Sequence, residues 1–317
     1  MLAYIAKRLA MSVVVVVLVM VFLASFVHLV PGDPVRIILG PKASEALSEV
    51  VREEMGLDDP VPVQVWDFVS GAFQGDLGRD FVSGLPVTEI IGEALPHTLV
   101  LAAAALGLAA LVGVPLGVFA ATHPDSILDR VIAVLSISMI TLASYVAGLF
   151  LLLLFAVRLG WLPAIGVGSF SDPGGYLKHL VLPATALAVT WVGYLGRLVR
   201  ASMLEVLGAN YIRTAHSFGV PARTVFYKYA LKNAIIPTIA VLGVAFGSLM
   251  SNAIFVEVIF TRPGIGSLIF DSIGDRNFPV VQGSILVVAL ITVGANLAAD
   301  LSYRFLDPRI RVAGGRA

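Results

Sequence analysis

The sequence predicts an all-α membrane protein with six transmembrane helices. Of its 317 residues, 58% are hydrophobic and 13% are charged, whereas a soluble domain is about half apolar and a quarter charged. Six apolar runs each come close to the roughly 17–25 residues that cross a hydrocarbon core. Strands of a membrane barrel would be about half as long and would alternate in polarity. The runs are Leu9–Val30, His97–Ala121, Val131–Val157, Leu180–Gly196, Pro237–Phe260 and Val280–Ala299.

The first run is expected to be a retained helix rather than a cleaved signal peptide. Lys7 and Arg8 precede it, as basic residues do in a signal peptide. However, Leu9–Val30 is longer than the apolar core of a signal peptide, about 7–15 residues, and no Ala-x-Ala cleavage site closes it. The shortest run, Leu180–Gly196, keeps an alternative interpretation as a buried helix that does not span the membrane.

The placement of lysine and arginine predicts which segments face the cytoplasm. Residues 197–232 carry six Lys or Arg and a single acidic residue, Glu205, and short segments rich in positive charge stay inside. Both termini are therefore expected in the cytoplasm and the acidic stretch 31–96 outside. The predicted organisation is an N-terminal transmembrane helix (1–30), an extracytoplasmic segment (31–96), a core of five transmembrane helices (97–303) and a cytoplasmic tail (304–317).

Two segments between the runs have features of their own. The outer segment 31–96 is predicted to hold two surface helices, the first over Ala43–Met55, where Gly56 can end it. The stretch 261–279 is predicted to be a mixed loop with an apolar turn at Leu268–Phe270.

The basic stretch 201–236 is too polar to span a membrane and too regular for a slack loop. Asn210 is a good helix N-cap, and Tyr211, Ala215 and Phe218 follow with helical spacing on one apolar face. Gly219 stands where helices end in the left-handed conformation, and Pro221 suits the first turn of a second helix. From spacing alone, two interpretations stay open: a helix packed on its own membrane domain, or a stiff helix presented to a partner.

The same stretch carries a resemblance to a known family. Tyr211-Ile212-Arg213-Thr214-Ala215-His216-Ser217-Phe218-Gly219, followed by Ala230-Leu231-Lys232-Asn233-Ala234 and Pro237, resembles the cytoplasmic "EAA" loop of ABC importer permeases of the dipeptide, oligopeptide and nickel family. Further motifs of that family follow in the family's order: Pro31-Gly32-Asp33-Pro34, Gly75-Asp76-Leu77-Gly78, Pro86-Val87, Leu159-Gly160-Trp161-Leu162-Pro163, Pro263-Gly264-Ile265-Gly266 and Asp307-Pro308-Arg309. The long segment after the first run is similar to the B-type subunit. The positions of His216, Ser217 and Phe218 are usually more basic in the family.

The resemblance implies a fold, a function and a set of partners. The fold would be that of a type I ABC importer permease, and the residues Tyr211 to Gly219 would dock on a cytoplasmic ATPase. The chain would form half of a pore for short peptides, with nickel or another small solute as the alternative cargo. The implied partners are a second homologous permease subunit in a heterodimer, two cytoplasmic ATP-binding-cassette ATPases, an extracytoplasmic substrate-binding protein and the membrane lipid.

Several other function classes find no support in the residues. No Gly is followed by Lys, so the chain has no P-loop, and ATP hydrolysis is expected from partner chains rather than from this one. The five His are scattered, no Cys is present and no Gly-x-Ser-x-Gly occurs. We therefore expect no catalytic residue, no cofactor and no metal. The formal net charge is zero, which gives no reason to expect nucleic acid as a partner.

Candidate pore or gate residues lie in and after the fifth run. They are Ser248, Ser251, Asn252, Glu257, Pro263, Gly264 and Gly266. Polar groups in a span usually face a bundle interior or a water path. Hydrogen bonding between helices is the alternative for Asn252, and reaching the membrane interface is the alternative for Glu257. A secondary transporter would usually show an internal repeat or several buried ionisable groups, and neither is found; a membrane scaffold would leave the capped basic helix unexplained.

Overall fold

The computed structural model describes residues 2–26, 59–168 and 171–306. Within these ranges the chain is helical, apart from turns and an isolated antiparallel bridge between Arg79 and Pro86. The predicted helix at Ala43–Met55 lies outside the described residues. The described helices are α1 (Leu2–Phe26), α2 (Val61–Gln74), α3 (Val87–Thr122), α4 (Ile127–Thr141), α5 (Ser144–Leu151, continued by a π-helical stretch Leu152–Arg158), α6 (Pro173–Leu207), α7 (Asn210–Ser217), α8 (Ala222–Thr224, a π-helical stretch Val225–Ala230 and Leu231–Ala234), α9 (Ile236–Ile259), α10 (Ile265–Gly274) and α11 (Phe278–Leu306).

Among the described helices, five are long and apolar enough to cross a membrane: α1, α3, α6, α9 and α11. Helices α4 and α5 pass the same test only together, and they are bent by 104° at the break between them. Counting this bent pair as one span gives six, which confirms the predicted fold class.

Helices α3 and α6 extend furthest beyond the apolar runs that predicted them. Helix α3 begins at Val87, ten residues before His97, because Val87 and Ile91 are buried and give its polar first turns an apolar side. Helix α6 extends past both ends of Leu180–Gly196. In the most apolar 18-residue stretch of α6, 61% of the residues are buried within the protein, against 17–33% in the same stretch of the other four unbroken spans. A helix surrounded by protein needs less apolar surface than one facing lipid, which explains why its run is the shortest.

The third predicted run, Val131–Val157, is broken where α4 meets α5. Leu142 and Ala143 both have extended backbone between the two helices. The Thr141 hydroxyl donates to the carbonyl of Ser138 at 3.0 Å, and the Thr190 hydroxyl of α6 donates to the carbonyl of Leu142 at 3.2 Å. The Ser138 carbonyl also accepts from the Leu142 N–H at 3.1 Å. A hydroxyl group of a neighbouring helix therefore satisfies the Leu142 carbonyl, which an apolar-run count cannot reveal.

The chain divides into two compact units, the first made of Met1–Thr98 and Arg262–Val293. In it, Met20 and Leu23 of α1 and Leu286 of α11 are buried together, and Phe68 of α2 packs against them. The Gln282 amide donates to the carbonyl of Leu23 at 2.8 Å. Helix α2 is therefore held to α1 by an apolar cluster that α11 completes.

Helix α10 corrects the prediction of a loop over 261–279. Ile265 and Ile269 are four residues apart and buried, so they form one inward side of a helix. The Ile265 N–H donates to the Thr98 hydroxyl at 2.8 Å, and the Gly264 N–H donates to the Ser267 hydroxyl at 3.0 Å. These bonds satisfy amides at the helix start that have no partner within the helix. The ten residues were missed because two buried isoleucines are too few to show a period.

The second unit, Leu99–Thr261 and Gly294–Ala317, is built around α6. A Cβ atom added at Gly113 of α3 would lie 2.9 Å from the Val192 carbonyl, and one at Gly117 would lie 2.6 Å from the Gly196 carbonyl. Helices α3 and α6 therefore touch backbone to backbone. Small residues allow such close approach between membrane helices.

Candidate functional site

Helix α7 is a short helix with defined ends. It begins after Ala209, whose carbonyl accepts from the N–H groups of Ile212 and Arg213 at 3.1 and 3.3 Å. At the other end Gly219 has φ = +74°, and the Val220 N–H donates to the Ala215 carbonyl at 3.2 Å. This six-residue closure with a left-handed glycine is the Schellman arrangement. The left-handed conformation predicted for Gly219 is confirmed.

Two predicted end residues are displaced by one position. Asn210 is the first helical residue, and Ala209 occupies the N-cap position without a capping side chain among the described residues. Pro221 is the N-cap of α8 rather than part of its first turn, with φ = −55° and ψ = 137°. Asn and Pro are each favoured at several neighbouring positions of a helix start, so sequence alone does not fix the register.

One side of α7 packs against the other helices of the second unit. Ile212 is 1% exposed and lies in a buried cluster with Ala215 packed against it. The cluster also holds Val118 and Ala121 of α3, Val199 and Met203 of α6, and Val225, Ala230 and Ala234 of α8. Of the predicted apolar face of Tyr211, Ala215 and Phe218, only Ala215 packs inward, and Ile212 is the buried residue beside it.

The opposite side of α7 is exposed. Phe218 is 82% exposed, and Arg213, Thr214, His216 and Ser217 are exposed with it. Tyr211 is exposed at the rim, where its hydroxyl accepts from the Asn233 amide of α8 at 2.9 Å. Helix α7 is thus held by its buried side, and the large aromatic side chain of Phe218 is exposed on the other side.

A pocket of about 270 Å³ lies in the second unit beside the α4–α5 break. The break, α6 and α9 supply its lining: Ile140, Thr141, Leu142, Ala143, Ser144, Tyr145, Leu187, Thr190, Trp191, Ser248, Leu249, Asn252 and Phe255. None of these described lining residues is Asp, Glu, Lys, Arg or His. The Asn252 amide nitrogen donates to the Ser248 carbonyl at 2.8 Å, so its oxygen is left to accept.

The predicted pore or gate residues fall into both units. Ser248 and Asn252 line the pocket, whereas Ser251 is exposed and donates to the Gly247 carbonyl at 3.4 Å. Glu257 is fully buried, so its alternative placement at the membrane interface is wrong. In the first unit Pro263 is exposed, Gly264 is the N-cap of α10 and Gly266 is buried in its first turn.

An ion pair in the second unit was not predicted. Asp129 of α4 is buried, and both its oxygens accept from Arg200 of α6, each at 2.7 Å. Ser126 caps α4 by accepting from the Asp129 N–H at 3.1 Å. The two charges are 71 residues apart, and Arg200 had been counted only as one of several basic residues, so no sequence signal marked the pair.

The first unit holds a polar turn centred on Asp80. Its carboxylate accepts from the Val82 N–H at 3.0 Å, the Ser83 N–H at 3.1 Å, the Ser83 hydroxyl and the Asn277 amide. Partial burial alone would raise the pKa of Asp80, but these hydrogen bonds outweigh it and hold the pKa below its ordinary value. The turn 79–86 is thereby tied to the α10–α11 corner.

The described residues contain no cluster of side chains that could bind a metal ion. Across residues 2–26, 59–168 and 171–306, no three His, Asp or Glu side chains come together as a metal site.

Comparison with family models covers almost the whole chain. Residues 113–312 match the model described as binding-protein-dependent transport system inner membrane component. Residues 1–102 match the N-terminal model of the same transport-system membrane components. The chain belongs to this family of binding-protein-dependent inner membrane transport components. It is therefore a multi-pass component of the inner membrane, and the resemblance found in the sequence is confirmed.

Curated relatives of this family match from end to end. The glutathione transport system permease protein GsiC of Shigella flexneri is 37% identical over 311 residues, which cover 98% of this chain and 99% of the relative. GsiC of Escherichia coli K12 matches at the same identity and coverage. The probable peptide ABC transporter permease protein y4tP of Sinorhizobium fredii is 35% identical over 309 residues, 97% of this chain and 99% of the relative.

A solved structure shows the same fold. A chain of the MetNI methionine ABC transporter, in an inward-facing conformation, superposes with a TM-score of 0.58 and 16% identity. The match covers 69% of this chain and 96% of that one. The fold is therefore the type I ABC importer permease fold. The family model and the end-to-end relatives, not this structure, show that the chain is an ABC permease subunit.

Proposed function

We propose that this permease forms half of the translocation pore of an ABC importer for short peptides. The relatives that match it from end to end are named for glutathione and for peptides, and glutathione is itself a tripeptide. The proposal extends that cargo class to this chain. A nickel chelate or another small solute is the competing cargo.

The observation that carries the coupling role is the two-sided burial of α7. A helix of eight residues is too short to be stable by itself, so the cluster around Ile212 must hold it. Phe218 remains 82% exposed on the other side. Exposed aromatic side chains on a rigid support are typical anchors of protein interfaces. We assign the residues Tyr211 to Gly219 to contact with a partner ATPase.

The remaining partners follow from the same proposal. The chain has no P-loop, so two cytoplasmic ATP-binding-cassette ATPases would supply the hydrolysis. A second homologous permease would complete the pore as a heterodimer, and an extracytoplasmic binding protein would deliver the peptide. The basic stretch 197–232 supports a cytoplasmic α7 with both termini on that side.

A pair of charge substitutions tests the coupling role. Phe218→Asp removes an aromatic anchor and places an unpaired charge at the contact. We expect ATPase binding to weaken by about 2 kcal/mol or more, roughly 30-fold. Val82→Asp is the matched control, because Val82 is 76% exposed in the first unit, far along the chain from α7. The measurements are membrane abundance, co-purification of the ATPases and uptake of a labelled tripeptide.

The expected result is normal abundance for both variants, with ATPases and uptake lost for Phe218→Asp alone. Full ATPase retention and uptake by Phe218→Asp would refute the assignment of α7. The cargo is tested separately, by measuring uptake of labelled glutathione and, in parallel, of a labelled nickel chelate in cells, with unlabelled dipeptides and tripeptides as competitors. Uptake of the nickel chelate without uptake of glutathione would replace the peptide cargo with the alternative.

A further inference from the structure

We propose that the pocket at the α4–α5 break is a water-filled section of the translocation pathway that contacts the peptide backbone through uncharged groups. The inference rests on the proposed function and adds the place and the chemistry of solute contact.

The break lies at membrane depth. From α6 the pocket is lined by Leu187, Thr190 and Trp191, all in the middle third of the helix. From α9 it is lined by four residues of the second half: Ser248, Leu249, Asn252 and Phe255. Both of these helices are unbroken candidate spans. The extended residues Leu142 and Ala143 are therefore placed beside the interior of two spans, not beside their ends.

Non-helical backbone at that depth is tolerated only where it is buried in protein or lines a water-filled cavity. The Thr141 hydroxyl donates to the Ser138 carbonyl, and the Thr190 hydroxyl donates to the Leu142 carbonyl. The start of α5 has no capping side chain among the described residues. Amides of a first helical turn have no acceptor within the helix, so water or solute must satisfy them. Exposure of this pocket to lipid would leave them unsatisfied, at several kcal/mol each.

The lining determines which solute groups the pocket can contact. Asn252, Ser248 and Thr190 offer amide and hydroxyl groups, while Trp191 and Phe255 offer apolar rings. The described lining carries no charge, so it can hydrogen-bond peptide amides without selecting for or against charged side chains. A volume of about 270 Å³ is at the lower end of small-molecule sites, about 300–1,000 Å³. This wall therefore contacts one or two peptide residues, and the second permease would supply the opposite wall.

Substituted cysteines test whether the pocket is wet and lies on the pathway. The chain has no native cysteine, so Asn252→Cys and Thr190→Cys introduce single thiols. They are placed in the full importer with both permeases, the ATPases and the binding protein. We expect a charged, membrane-impermeant thiosulfonate to modify both, to block uptake, and to react at least about tenfold more slowly during transport of a tripeptide. Val244→Cys is the control on α9: it is exposed but outside the lining, and its reactivity should not change with peptide.

Introducing opposite charges at Asn252 tests independently whether the uncharged lining contacts the peptide. Asn252→Asp should slow uptake of an acidic tripeptide at least about tenfold relative to a neutral one, and Asn252→Lys should do the same to a basic tripeptide, since like charges repel strongly in a partly desolvated site. The binding protein is unchanged in both, and opposite effects exclude a folding defect. The inference is wrong, and the proposed function stands, if the unmodified importer takes up tripeptides with ATP but neither test succeeds. Failure means that the cysteines do not react or are not protected by transported peptide, and that the charge substitutions leave the preference among acidic, neutral and basic tripeptides unchanged. If that importer takes up no peptide, the proposed function itself fails.

Discussion

Gly117 of α3 offers the sharpest test of the packing around α6. A Cβ atom at this position would lie 2.6 Å from the Gly196 carbonyl oxygen and 2.7 Å from Val199 Cβ, whereas carbon atoms in good contact are about 3.5–4.0 Å apart. The carbonyl is backbone and cannot rotate away. Gly117→Ala must therefore push α3 and α6 apart, and overpacking of this kind costs about 1–3 kcal/mol.

Gly107→Ala is the matched control on the same helix, because a Cβ atom there meets no described atom within 4 Å. Both variants gain the same helix propensity, about 1 kcal/mol for alanine over glycine. Their difference in the free energy of unfolding therefore isolates the contact, and we expect about 1–3 kcal/mol, a factor of roughly 5 to 150 in the unfolding equilibrium. Reversible unfolding of the purified permease in mixed detergent micelles measures it. Equal stability of the two variants would show that α3 and α6 do not approach as closely as described.

Three further predictions follow from the described contacts. A single cysteine at Val82 should react with an impermeant thiol reagent in intact cells and one at Ser217 only after the membrane is opened; the reverse pattern would overturn the orientation. Hydrogen bonds depress the pKa of Asp80, so their contribution to stability is present above the unfolded pKa of about 3.9 and is lost as pH falls through the lower folded pKa. Hydrogen exchange of residues 79–86 in the wild type should therefore speed up over that acid range, whereas Asp80→Asn should show no such transition. Asp129→Asn should weaken a buried pair whose Arg200 partner is partly exposed, lowering the unfolding free energy by about 1–3 kcal/mol, and unchanged stability would contradict a structural role for the pair.

The sequence predicts spans well and interruptions poorly. Apolar runs locate the spans because each must satisfy its backbone internally and cover its length with apolar side chains. The same logic does not detect the break at Leu142–Ala143, because both residues are apolar and the Leu142 carbonyl takes its partner from the Thr190 hydroxyl of α6, which is distant in sequence. A residue that acts through a neighbour distant in sequence leaves no local pattern.

The position of helix α7 was predicted from the sequence, whereas its orientation was left open. Gly219 has a conformation that few other residues adopt, so its role in ending the helix could be read from the chain alone. Tyr211 and Phe218 are apolar and spaced as a stripe, yet Ile212, which lies outside that stripe, is the buried residue. Amphipathic spacing assumes that water lies opposite the core. A helix whose outer side also carries apolar residues breaks that assumption, and such residues are themselves a signal of a second contact.

Helix α6 physically joins the two candidate sites of the second unit. Val199 and Met203 lie in the cluster that holds α7, while Thr190 lines the pocket at the break. Nine residues separate Thr190 from Val199, about 14 Å along a helix. Between them, Gly193 and Gly196 face α4 and α3 at backbone distance: a Cβ atom at Gly193 would lie 3.0 Å from Met139 Cβ. Close-packed backbones cannot slide without first separating, and packed interiors transmit strain rather than absorb it. A displacement of α7 should therefore move α6 as a rigid body and alter the α4–α5 break, to which α6 is bonded through Thr190.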